Sequence, residues 1–236
     1  MMSKYFYFFM ITIVTLSCSN SEIMEAPTES EMDNHQAGNN SFLALGDSYT
    51  IGENVSYKSN WPNQLIDSLQ SNNIPIKNLQ IIAKTGWTTT NLIDAIDSQQ
   101  PEKSNLVSLS IGVNNQYQRR SFSIFEDEFN ELLNAAIEHS IDSSVFVVSI
   151  PDYGVTPFGM SNGDSVSIAR DIDNYNDYMR QQCLMHNLTF IDVTEISRAL
   201  QSDPNSLTSD NLHPSSYQYS LWVSEMLDEV ITVISN

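Results

Sequence analysis

Positive charge is scarce in this chain. Ten Lys and Arg stand against 29 Asp and Glu among 236 residues, a formal net charge of −19. Such a surface repels phosphate backbones, which argues against nucleic acid as a partner. It also repels anionic lipid headgroups at long range. Its simplest role is to keep an exported chain soluble. Cysteine is nearly absent, with only Cys18 and Cys183. No Cys/His spacing resembles a zinc site, so no metal is expected. A Cys18–Cys183 disulfide is conceivable after export, but Cys183 falls within an expected helix and reads as a small core residue. There is no internal repeat and no linker to a second domain. What remains is a globular mixture, 41% hydrophobic and 10% aromatic, long enough for one domain with a sizeable core.

The uncharged run over residues 5–16 is too short to span a bilayer as a mature helix. It follows Lys4 and precedes Ser17-Cys18, the layout of a signal peptide. Thr15-Leu16-Ser17-Cys18 resembles a bacterial lipoprotein signal, although Thr15 stands where an aliphatic residue is usual. The resemblance implies a lipid-modified Cys18 and a place in the bacterial cell envelope, with Ser19 favouring the outer membrane; ordinary secretion is the alternative. Residues 19–41 are expected to form an acidic tether. Glu22, Glu25, Glu29, Glu31 and Asp33 occur there with no Lys or Arg, and Pro27 and Gly38 break any periodicity. His35 lies in this stretch and has no expected catalytic part.

From residue 42 to 236 strand and helix signals alternate. Apolar runs at 42–45, 79–83, 106–111, 144–150 and 188–193 read as strands. Helical spacing covers 61–69, 91–98, 125–139, 171–186 and 217–234. Pro62 suits the first turn of one helix and Pro214 that of the last. Strands alternating with helices imply βαβ units and a parallel sheet. Near-continuous apolar strands imply burial on both faces. The expected class is α/β, a three-layer α/β/α domain.

Four short blocks carry candidate chemistry. Gly46-Asp47-Ser48-Tyr49 follows the first strand and Thr85-Gly86-Trp87 the second. Gly112-Val113-Asn114-Asn115 follows the third, and Asp210-Asn211-Leu212-His213 precedes the last helix. Taken singly each has a plain reading. Ser48 can cap a helix, Gly86 and Asn114 can serve turns, Asp210 can cap the last helix, and His213 can sit on the surface. Together, in this order, the blocks resemble those of the SGNH, or GDSL, hydrolase family. Tyr49 replaces the family's usual Leu, and Asn115 its Asp.

That resemblance implies a flavodoxin-like five-stranded parallel sheet in the order 2-1-3-4-5. Its switch point then lies between the first and third strands. It also implies a serine esterase with Ser48 as nucleophile, His213 as base and Asp210 as its orienting carboxylate. Ser48, Gly86 and Asn114 would form the oxyanion hole, and no cofactor is needed. The roles make chemical sense. A serine hydroxyl needs a base, imidazole can take and return a proton near neutrality, and preorganised donors stabilise the developing oxyanion. The substrate class is a carboxylic ester, short-acyl or small, whether lipid or glycan, and the enzyme is expected to be a monomer. The same residues would serve an O-acetyl transferase or deacetylase acting on envelope polysaccharide. A lipid-anchored binding protein without catalysis is the reading of another class. Trp87 and the aromatic residues of 151–159 are expected either to line an acyl pocket or to cover the core edge.

Overall fold

This computed structural model describes residues 40–235. The expected signal segment, Cys18 and most of the acidic tether lie outside the described residues. Five strands form one sheet: β1 (Asn40–Gly46), β2 (Ile76–Ala83), β3 (Leu106–Ser110), β4 (Val145–Val148) and β5 (Thr189–Ile191). The order is β2-β1-β3-β4-β5 and every pairing is parallel. This is the sheet expected from the sequence. Asn40 and Ser41, the last residues of the expected tether, already belong to β1.

Nine α-helices accompany the strands among the described residues. They are α1 (Ser48–Ile51), α2 (Trp61–Ser71), α3 (Thr89–Gln99), α4 (Val113–Tyr117), α5 (Phe122–Glu138), α6 (Pro157–Asn162), α7 (Ser165–His186), α8 (Thr194–Ala199) and α9 (Ser216–Ser235). Helix α2 packs on α9, while α5 packs on both α3 and α7, giving a helical layer on each side of the sheet. No helix of the described residues is long and apolar enough to cross a membrane.

The long helices form for visible reasons. Asn60 caps α2 by accepting the Asn63 N–H at 3.1 Å, and Pro62 occupies the first turn, where its missing N–H costs nothing. On α5, Phe125, Phe129, Leu132, Leu133 and Ala136 recur at helical spacing and are all buried. Asp164 caps α7 through the Val166 N–H, so this helix begins at Ser165 rather than Asp171. Cys183 is buried on its inner face, and burial pushes its thiol up to about 12.

The expectation of burial on both faces holds for β3 and β4 and for the last five residues of β1. It fails for the two edge strands: in β2 exposed and half-buried residues predominate, and in β5 Thr189 and Phe190 are half-buried. As an edge strand β2 has a neighbour on one side only, and its outer residues need not be apolar. The last helix also differs from expectation. It starts at Ser216, and Pro214 precedes it, paired with Leu207 in an isolated antiparallel bridge. The segment 207–214 is therefore a closed loop of its own, ahead of the helix.

Candidate active site

The turn after β1 is unusually tight. A Cβ on Gly46 would lie 2.1 Å from Thr50 Oγ1 and 2.6 Å from the Ser110 carbonyl. Only glycine lets the chain leave the strand so close to β3. Asp47 then caps α1, its carboxylate accepting the Tyr49 N–H at 3.0 Å. Ser48 is the first residue of this one-turn helix and is 4% exposed. Burial pushes the Asp47 carboxyl up to about 7, against the lowering effect of the N–H groups of Tyr49 and of Asp47 itself.

Two further segments face Ser48. Gly86, in the turn after β2, has φ +83°, a conformation L side chains resist. A Cβ there would meet no atom within 4 Å, so the backbone borders open space. Asn114 lies on α4, directly after β3. Its side-chain amide donates to the Trp87 carbonyl at 3.0 Å. An amide nitrogen carries two protons, so this bond fixes the group and leaves one proton to offer. Asn115 points elsewhere: it is buried, accepts the Thr89 N–H at 3.0 Å and donates to the Thr89 hydroxyl at 2.5 Å. Its part is to tie α4 to the start of α3.

The fourth segment is the loop 207–214. The Thr208 N–H bonds the His213 carbonyl at 2.8 Å and closes it. Asp210 organises its interior. One carboxylate oxygen accepts the N–H groups of Leu212 and His213 at 2.9 and 3.0 Å and the Thr208 hydroxyl at 2.8 Å. The other lies 2.6 Å from His213 Nδ1 and also accepts from the Asn54 amide at 2.6 Å. Asp210 thus does not cap the last helix. Partial burial pushes its carboxyl up, but the His213 ring, the His213 N–H, the Thr208 hydroxyl and the Leu212 N–H outweigh this. They hold it well below the usual carboxylate range. An ionised carboxylate can only accept, so Nδ1 carries the proton and Nε2 is left free as a base. The His213 ring packs against Tyr49, centroids 5.6 Å apart and planes tilted by 58°.

Ser48, Gly86, Asn114 and His213 line one cavity of about 120 Å³. Tyr49, Val113, Tyr117, Tyr153, Phe158 and Leu212 make its wall largely apolar. No hydrogen bond joins the Ser48 hydroxyl to His213 among the described residues; such contacts often tighten only with substrate bound. Nor do the N–H groups of Ser48 and Gly86 donate to any described group, so both are available to a ligand. The loop after β4 supplies Tyr153 and Phe158, and the Phe158 N–H bonds the Asn211 carbonyl at 3.1 Å. Trp87 is not in the wall; it packs half-buried against the core and enters only through its carbonyl. Asn54 was missed by sequence reasoning, since it lies in a loop with no periodicity. Among the described residues no group of three or more His, Cys, Asp or Glu could hold a metal ion.

Comparison with known structures agrees with this architecture. The chain is similar to a lipolytic protein of the G-D-S-L family from Veillonella parvula at 16% identity, covering 80% of this chain and 96% of that one, TM-score 0.63. It is similar to an acetylxylan esterase from Geobacillus stearothermophilus at 18% identity, covering 81% and 94%, TM-score 0.61. It is also similar to a psychrotrophic esterase from a Pseudoalteromonas species at 16% identity, covering 84% and 100%, TM-score 0.59. At these identities the likeness speaks for the fold. No curated protein matches the chain significantly by sequence. The profile of the GDSL-like Lipase/Acylhydrolase family, however, matches residues 44–221, a span that holds all four blocks. With that match the chain belongs to the GDSL-like lipase/acylhydrolase family and is a GDSL-type ester hydrolase.

Proposed function

We propose that this ester hydrolase works through Ser48, His213 and Asp210 on esters of short acyl groups, with an acyl-enzyme intermediate. The observation that carries the reading is the 2.6 Å pair of Asp210 and His213 bordering the same cavity as Ser48. His213 Nε2 takes the Ser48 proton as Oγ attacks the ester carbonyl. The N–H groups of Ser48 and Gly86 and the Asn114 amide receive the oxyanion. His213 then returns the proton to the leaving alcohol, and Ser48 holds the acyl group. Water attacks that ester with His213 again as base, releasing the acid and restoring the serine. Asp210 remains ionised and holds the ring.

The short-acyl reading rests on size: the cavity is small, about 120 Å³, and its largely apolar wall suits a few methylenes. The test is Ser48→Ala on 4-nitrophenyl acetate and butyrate. Turnover should fall about 10³-fold or more while circular dichroism and the thermal midpoint stay near those of the parent. Retained turnover would refute the nucleophile.

A further inference from the structure

A second concavity adjoins the first. It is a groove of about 990 Å³, and Tyr117 and Tyr153 border both it and the smaller cavity. One side is the end of α4 and the start of α5; the other is α7. Along α7 the residues Ser167, Asp171, Asn174, Tyr178 and Gln181 line it. They recur every three or four positions and so share one helix face. The inner face of α7, with Ile172, Met179 and Cys183, is buried in the core, which turns its polar edge toward the groove, with the buried Ile168 and Tyr175 at its floor. From Asp164 to Gln181 this edge runs about 25 Å at the helical rise.

We infer that this groove binds the alcohol half of the substrate, and that the alcohol is a neutral oligosaccharide whose short acyl substituent enters the cavity at Ser48. The inference rests on the esterase reading above and names the half of the substrate that reading leaves open. Three observations favour a sugar. First, the groove combines rings with amides and carboxylates: Tyr117, Phe122 and Tyr178 with Asn174, Gln181 and Asp177. Sugar rings offer C–H faces to aromatic surfaces and hydroxyls that donate to carboxylates and bond amides both ways. Tyr117 is 49% exposed and stands at the junction, where the esterified sugar would lie. Second, the charge does not suit an anion. Asp164, Asp171 and Asp177 line the groove against Arg119 and Arg120, and Arg120 is engaged with Glu128 at 3.9 Å and the Thr88 hydroxyl at 3.0 Å. Third, a fatty chain would have to lie along carboxylates and amides, leaving them without partners.

The junction is held in place. The Tyr153 hydroxyl donates to Gln116 Oε1 at 2.7 Å, and the Gln116 amide donates to Asp171 at 3.2 Å. Burial pushes the Tyr153 hydroxyl up to about 12, so it remains a donor at neutral pH. This chain of bonds links the wall of the small cavity to α7.

The test compares O-acetylated neutral oligosaccharides of increasing length with 4-nitrophenyl acetate on the purified protein. The kcat/KM for the sugar esters should rise about tenfold as further sugar units fill the groove. Asn174→Trp, a bulky substitution at an exposed helix position, should cancel that rise. In the Ser48→Ala protein, the unacetylated long oligosaccharide should still bind by calorimetry or by NMR of the aromatic protons. Hydrolysis of 4-nitrophenyl acetate with a flat length series overturns this inference alone, as does a length-dependent gain with acetylated peptides and none with sugars. Turnover of neither ester overturns it together with the reading it rests on.

Discussion

At Ser48 the chain sets a hydroxyl on the first residue of a one-turn helix, where a buried carboxyl and three segments from elsewhere in the sequence converge. In the proposed mechanism Asn114 supplies an amide already fixed by the Trp87 carbonyl, so it would need no reorganisation to meet an oxyanion. Asn114→Ala should lower kcat about 10²- to 10³-fold with little change in KM, because the lost donor acts mainly in the transition state. Asp47 is the other residue with a measurable consequence. Its carboxyl goes from an ordinary 3.8 to about 7 on folding. A group that holds its proton more tightly when folded adds stability that is complete below the unfolded value. That stability is lost as pH rises through the folded value. Asp47→Asn should therefore flatten the decline of the thermal midpoint between about pH 4 and about pH 7, read by calorimetry across that range; an unchanged slope would contradict it. Asp210 works in the opposite window, since its lowered value makes its contribution present at neutral pH and lost on acidification. Ser48, Gly86, Asn114, Asp210 and His213 stand out in the sequence because the four blocks that hold them, taken together and in order, resemble those of the family; singly each reads as a turn, cap or surface residue. Asn54 and the packing of Tyr49 on His213 do not, because a loop contact and a ring contact leave no periodic trace.

The elements divide by length in how plainly the sequence announces them. Helices α2, α5 and α9 and strands β1, β3 and β4 carry whole periods of apolar residues, and burial follows those periods. Helices α1, α4, α6 and α8, of four to six residues each, are too short to show a period, yet two of them carry Ser48 and Asn114. The start of α7 is hidden because Gly163-Asp164-Ser165 reads as a turn. The segment after β4 is held by an ion cluster that no linear pattern displays. Arg198 on α8 binds Asp152 at 3.0 Å, Asp173 at 2.6 Å and Glu195 at 2.8 Å. Asp152 is 1% exposed and also accepts the Gly154 N–H at 2.9 Å, beside Tyr153. Replacing Arg198 strands a buried charge. Arg198→Met should cost ~3–5 kcal/mol in urea unfolding, and adding Asp152→Asn should recover part of the loss. Additive losses in the double variant would show that the two side chains do not act as a pair.

For the molecule as a whole, the strand order decides where chemistry can gather. With β1 between β2 and β3, the turns after these three parallel strands meet at the carboxyl end of the sheet. They deliver Ser48, Gly86 and Asn114 to one cavity. The loop 207–214 brings His213 to the same place from far along the chain, and Asp210 with it. The alternation of strands and helices foretold a parallel sheet, the family resemblance foretold its strand order, and the four blocks foretold which residues would meet. The groove beside them was not foretold, since it arises from two helices packed side by side and not from any run of residues. The central claim is that Ser48 is the acyl-accepting nucleophile. The most direct measurement is to treat the protein with a fluorophosphonate and locate the adduct by intact mass and peptide mapping. The expected result is one adduct per chain, on Ser48, absent in Ser48→Ala and formed far more slowly in His213→Ala. No adduct, or an adduct on another residue, would contradict the claim.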